Sequence, residues 1–202
     1  MQKLSDILSV NRDLIRNKKL DELYVQVPYD LKATLSNTLY LFGVDPTSHF
    51  KDSIPAYFTY GCGTNAEYIP ANIILPRHIK AIESSAFCNN SILQRIAMPG
   101  VEVIQDQAFH SCENLKSVAF GDKLYKIGQG AFSDCYELTE LYLPASVEFI
   151  YNYAFEDCIG IRKVHYAGTM EDWSYNRVYS TAFKGCKVYT VQCTDGVTDL
   201  YV

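Results

Sequence analysis

The sequence predicts an α+β protein: a small α-helical N-terminal cap followed by a solenoid of stacked coils, each contributing a short strand that pairs in parallel with the next. Three observations predict it. A motif recurs every 22 or 23 residues, in register, through the middle of the chain. The second half of each motif alternates apolar and polar residues with the two-residue period of a strand. Residues 1–53 lack the motif and carry apolar residues at helical spacing instead. A fixed period in this length range signals a stacked array.

Within the cap, Leu4, Ile7, Leu8 and Leu14 or Ile15 share one helical face, and Arg16, Lys18 and Lys19 gather towards its end, where cations complement the helix dipole. A second short helix is expected over residues 19–25. A third is expected after Pro28, with Asp30 as N-cap and Gly43 as the stop. Seven basic and seven acidic residues leave this segment neutral, so the chain's net charge of −5 lies in the repeats. Three short helices suit a DNA-reading module, but no basic face supports one; the expected role is to seal the first coil.

The solenoid is expected over residues 54–193, with full repeats at 82–166 and a C-terminal tail at 194–202. The units begin at Ile82, Ile104, Ile127 and Ile150. Each carries an Ala-Phe pair four and five residues on: Ala86–Phe87, Ala108–Phe109, Ala131–Phe132 and Ala154–Phe155. Cys112, Cys135 and Cys158 fill the next slot, and the aliphatics Leu93, Leu115, Leu138 and Ile161 follow. Ile96, Val118, Leu141 and Val164 then alternate with Met98, Phe120, Leu143 and Tyr166 in the strand pattern. Ile54, Ile73, Leu75 and Ile79 echo the frame upstream, and Ala182–Phe183 with Cys186 echo it downstream after an insertion of five residues. One unit cannot bury its own apolar slots, but a stacked neighbour can. Each buried Leu or Phe then contributes roughly 1.5–3 kcal/mol.

Leu143-Pro144, Val147, Ile150, Ala154-Phe155, Cys158, Ile161 and Val164 resemble the consensus of the BspA-type (Treponema pallidum-type) leucine-rich repeats. Gly168-Thr169 with Trp173, and Cys193-Thr194-Asp195-Gly196, resemble segments that commonly close such arrays. Departures are few: Asn90 takes the Cys slot of the first full unit, with Cys88 displaced, and Gly121 and Ala167 replace Pro. Leu39-Tyr40, Gly43 to Pro46, Pro55, Tyr57, Phe58 and Tyr60 further resemble the N-terminal segment of the short phage-encoded members. The resemblance implies a leucine-rich-repeat solenoid that binds protein ligands.

The cysteines invite a redox or metal reading. Stacked equivalents sit about 4.8 Å apart but point the same way, so a disulfide is not expected between them. No C-x-x-C spacing occurs. A buried column of small groups is the expected arrangement, with Cys88 outside the column and Cys88, Cys186 and Cys193 as candidates for solvent access. His110 and Cys112 are two residues apart, which sends one side chain outward when the other points in. Without a phosphate loop or nucleophile elbow either, the sequence predicts no catalytic residue, no metal and no cofactor.

Two surfaces are candidates for a protein partner. The outward slots of the strands place Arg95, Ser117, Glu140 and Lys163 in one row, and Tyr142 and His165 in the next, on one continuous sheet face. A loop edge would carry Tyr125, Tyr136, Tyr151 and Tyr153, at frame positions the core does not require. Tyr and Arg are enriched at binding hot spots. The expected function is a non-enzymatic protein–protein interaction module, phage-encoded, acting on a host defence or takeover target. The alternative is a virion or cell-surface adhesion component. The acidic balance speaks against nucleic acid as partner, and no apolar run is long enough for a membrane span. The first twenty residues lack a signal-peptide pattern, and the odd cysteine count suits a reducing compartment, so a cytoplasmic location is expected. An exposed end of the sheet offers a route to a homodimer.

Overall fold

In a computed structural model, which describes residues 38–40, 52–54, 56, 71–75 and 77–200, each coil supplies two strands. One is the three- or four-residue strand of the Leu-x-x-Val half: β3 (Asn72–Ile74), β5 (Arg95–Met98), β7 (Ser117–Phe120), β9 (Glu140–Leu143), β11 (Lys163–Tyr166) and β13 (Thr190–Gln192). The other has two residues and ends in the aliphatic that opens a unit: β2 (Ser53–Ile54), β4 (Ala81–Ile82), β6 (Val103–Ile104), β8 (Lys126–Ile127), β10 (Phe149–Ile150) and β12 (Arg177–Val178). The two-residue strands form one six-stranded parallel sheet in the order β12-β10-β8-β6-β4-β2. Equivalent residues pair across it, as Ile82 does with Ile104 and Ile104 with Ile127.

The core lies between the sheets and the turns. Phe87, Phe109, Phe132, Phe155 and Phe183 stack as one column, with neighbouring ring centroids 4.9–5.3 Å apart. Each stacked pair adds about 0.5–1.5 kcal/mol beyond its burial. Beside it runs the thiol column. Cys112 donates to the Phe87 carbonyl, Cys135 to that of Phe109, Cys158 to that of Phe132 and Cys186 to that of Phe155, at 2.9–3.3 Å. In the first full unit Asn90 replaces the thiol and accepts instead, through Oδ1, from the Ile92 and Leu93 amides. Cys186, a candidate for solvent access, is buried as the fourth column member, and Cys193 is buried as well. Burial pushes the Cys112 and Cys186 thiols up to about 12 and the Cys135 thiol well up too, which suits structural rather than nucleophilic groups.

Two turns per coil pass through the left-handed region. Ser85, Gln107, Gly130 and Tyr153 occupy the first slot, with φ between +57° and +62°. Asn89, Ser111, Asp134, Asp157 and Gly185 occupy the second. Of these nine positions only two are glycine, so the other side chains are held there by the cross-coil ladder; Phe109, for instance, donates to the Ala131 carbonyl at 2.7 Å.

Four expectations change. β1 (Thr38–Tyr40) pairs in parallel with β3, in register Thr38 to Asn72, inside the stretch expected to be the third helix. Its Thr-Leu-Tyr sequence suits a strand, and the solenoid supplies the pairing edge. The rest of that helix and the first two lie outside the described residues, and the described chain is a β-solenoid with one six-residue helix, α1 (Met170–Tyr175). Within the segment expected as a C-terminal tail, β14 (Val197–Asp199) folds back antiparallel onto β13 and becomes that sheet's edge. Finally, the sheet of longer strands is not continuous. It divides into β1-β3-β5-β7 and β14-β13-β11-β9, with β7 and β9 adjacent but unpaired. At the break Phe120 is only half-buried, its ring edge-on to Phe132, whereas Met98 and Leu143 in the equivalent slots are sealed.

The five-residue insertion and the closing segment form one joint. Thr169 and Asp172 make a reciprocal capping box for α1, Asp195 Oδ1 accepts the Met170 amide at 2.8 Å, and the Thr194 amide donates to the Gly168 carbonyl at 3.0 Å. Trp173, fully buried, tilts against Tyr166 with ring centroids 5.1 Å apart.

Candidate functional site

The inward residues of β9 and β11, Leu141, Leu143, Val164 and Tyr166, are buried, so the alternate residues face out. Parallel register sets Lys163 beside Glu140 and His165 beside Tyr142. The Tyr142 and His165 rings stack with centroids 4.5 Å apart and planes 4° apart. The Tyr142 hydroxyl donates to Glu140 Oε2 at 2.7 Å, and Lys163 Nζ lies 3.6 Å from Glu140 Oε1. That hydroxyl, with the Lys163 charge behind it, holds the Glu140 carboxyl below its ordinary range and raises the Tyr142 phenol in return. Four of the predicted sheet-face residues therefore form one connected cluster, with Tyr142 56% exposed at its crest.

The other two predicted sheet-face residues stand apart. Arg95 and Ser117 pair in register on β5 and β7, across the break from the cluster, and Arg95 reaches Asn72 Oδ1 at 3.4 Å. A groove of about 450 Å³ opens at the break, with Phe120 and Asp122 on one side and Tyr142, His165, Gln192 and Thr194 along the other. Gln192 belongs to the same row, paired with His165 through β11 and β13. Its slot lies beyond the inserted α1, which hides it from the 23-residue frame.

The loop tyrosines do not make a single edge. Tyr125 precedes β8, Tyr136 follows the buried Cys135, Tyr151 follows β10 and Tyr153 sits in a left-handed turn, four different slots of the coil. Tyr136 donates to Asp134 at 3.0 Å, and Lys184 Nζ lies 5.3 Å from the Tyr153 ring centroid. Tyr151 stacks on Tyr179 at 5.2 Å. His110 and Cys112 diverge: the thiol is buried on a carbonyl, while the imidazole meets Ser133 at 2.7 Å and Ser111 at 3.2 Å. Among the described residues no group of three His, Cys, Asp or Glu side chains is placed to hold a metal ion.

Stacked coils, parallel strands in two columns and an outward row of ordered side chains define a leucine-rich-repeat solenoid of β type. The family model for a BspA type leucine rich repeat region matches residues 53–189 in six copies, and the chain belongs to that family. The crystal structure of a T. pallidum leucine rich repeat protein is similar, at 30% identity and a TM-score of 0.56, over 63% of this chain. The chain spans 57% of that protein's length. A leucine rich cell surface protein from Faecalibacterium prausnitzii matches at 19% identity and a TM-score of 0.48, over 61% of this chain and 32% of its own. No curated protein matches the chain in sequence.

Proposed function

We propose that this chain is a non-enzymatic protein–protein interaction module that docks its partner on the outer face of β9, β11 and β13. The observation that carries this reading is the Tyr142–His165 stack, tied through the Tyr142 hydroxyl to Glu140 and through Glu140 to Lys163. These side chains are ordered before any partner arrives, which lowers the entropic cost of docking. The core does not require them, because each points away from it.

The N-terminal resemblance supports a finer reading, a phage protein that engages a host defence or takeover target in the cytoplasm. The test is capture from host extract by the full chain and by its Tyr142→Ala/His165→Ala variant, with thermal unfolding as control. Loss of a hot-spot pair is expected to weaken capture by about thirtyfold or more while leaving the unfolding midpoint in place. Equal capture by a folded variant refutes the docking face. Recovery of the protein in purified phage particles refutes the host-target reading in favour of a virion component.

A further inference from the structure

The sheet of two-residue strands carries a second ordered surface. Its inward residues, Ile127, Ile150 and the largely covered Val178, join the core, so their neighbours face out. Lys126, Phe149 and Arg177 stand in register across β8, β10 and β12. Tyr151 and Tyr179 form the adjacent row, stacked at 5.2 Å. Lys126 Nζ lies 5.0 Å from the Tyr151 centroid and Arg177 Cζ 5.3 Å from that of Phe149, so cations and rings interleave.

The two cations of this surface are set over rings. Lys80, Lys163 and Lys184 each have a carboxylate within 4 Å, at Glu102, Glu140 and Glu156. Among the described residues Lys126 and Arg177 have none, although the exposed Glu148 lies next to Phe149 in the chain. A cation over a ring face keeps its outer N–H donors free for an anion. In a chain of net charge −5, two uncompensated cations on an aromatic bed mark a local positive site rather than a general basic footprint. A phosphate backbone needs the latter.

We infer that this face is a second docking surface and that its occupant is an acidic, extended polypeptide segment of a partner protein. Two strand spacings separate Lys126 from Arg177, about 10 Å, and carboxylates three residues apart in an extended segment of polyproline II type share one face and span about 9 Å. The segment's acidic side chains meet Lys126 and Arg177, and its apolar groups lie over Tyr151 and Tyr179. The surface is on a different sheet from the Tyr142 cluster, so the two dock independently.

The test pans a random-sequence dodecapeptide library against the full chain and measures the enriched peptides by fluorescence anisotropy. Enriched peptides are expected to carry two or more carboxylates and to weaken as salt rises. They are expected to lose about tenfold or more in affinity for Lys126→Glu/Arg177→Glu and several-fold for the milder Lys126→Gln/Arg177→Gln, while binding Tyr142→Ala/His165→Ala unchanged. Circular dichroism verifies folding of each variant. The inference is overturned if no acidic peptide is enriched, if folded variants bind undiminished, or if the acidic peptides depend on Tyr142 and His165 instead. Binding of a labelled oligothymidylate with the same dependence on Lys126 and Arg177 overturns it in favour of single-stranded nucleic acid.

Discussion

The thiol column makes a sharp prediction at Cys135, which is fully buried between Cys112 and Cys158 and donates to the Phe109 carbonyl at 3.3 Å. Cys135→Ala removes one heavy atom and one donor. Taking the sulfur as worth a methylene, lost transfer costs about 0.8 kcal/mol. A residual void of about 20 Å³ adds about 0.5 kcal/mol, and the weak thiol hydrogen bond about 0.5 kcal/mol. The carbonyl is not orphaned, because the Cys112 amide also donates to it at 3.2 Å. The expected loss is therefore about 2 kcal/mol, a fall in Tm of roughly 4–8 °C for a chain of this size. Cys135→Ser keeps a donor aimed at the same oxygen and is expected to cost about half as much. Urea unfolding followed by circular dichroism gives both values. If serine costs as much as alanine or more, the slot selects for small apolar bulk alone, and the thiol–carbonyl contact contributes nothing.

Three further predictions follow from the turns, the closing joint and the cluster. Gln107→Gly relieves a left-handed residue in the slot that Gly130 already fills, and is expected to raise stability by about 0.5–1 kcal/mol in the same urea assay, whereas Gln105→Gly is expected to lower it. Thr169→Ala removes one half of the α1 capping box and is expected to cost about 1 kcal/mol, with faster amide exchange confined to α1 and the Thr194–Gly168 contact. Glu140 is held below the ordinary carboxylate range, so its contacts contribute fully above that range and are lost as pH falls through the lowered value. Tyr142→Phe is expected to move the Glu140 titration, read by NMR, up towards the ordinary carboxylate value; an unmoved midpoint would show that the hydroxyl is not the cause.

The parts of the fold legible in the sequence are those that repeat. Phe87 to Phe155 and Cys112 to Cys158 announce their columns because every coil imposes the same packing on the same slot, and the outward position of Tyr142 and His165 follows from alternation alone. Residues 38–40 resist such reading because Asp30 and Gly43 are local helix signals, whereas the partner that makes a strand of Thr38–Tyr40 is β3, more than thirty residues on. Cys186 echoes the frame beyond the insertion that holds α1, but its burial as a column member shows only once its coil is stacked on the Phe155 carbonyl. The left-handed turns are masked by Gln107 and Tyr153, residues that give no glycine signal. The loop tyrosines share chemistry but not a slot, and composition cannot distinguish the two. Lys126, Phe149 and Arg177 are visible only once β8, β10 and β12 are in register, since the inserted residues lie between the last two.

The reversal of β14 onto β13 gives the array a direction. A parallel coil offers the next coil a copy of its own edge, so stacking has no internal reason to stop; a strand running the other way presents no such template on that sheet. Gene duplication can therefore lengthen this protein in whole 23-residue steps among the coils that precede Gly168, each step moving the two outer faces apart from whatever lies upstream by one strand spacing. Beyond Gly168 the same duplication would have to break the Asp195 and Thr194 contacts to α1. On this sheet β14 fixes the closing edge, and the coils before Gly168 are where variation in length can accumulate.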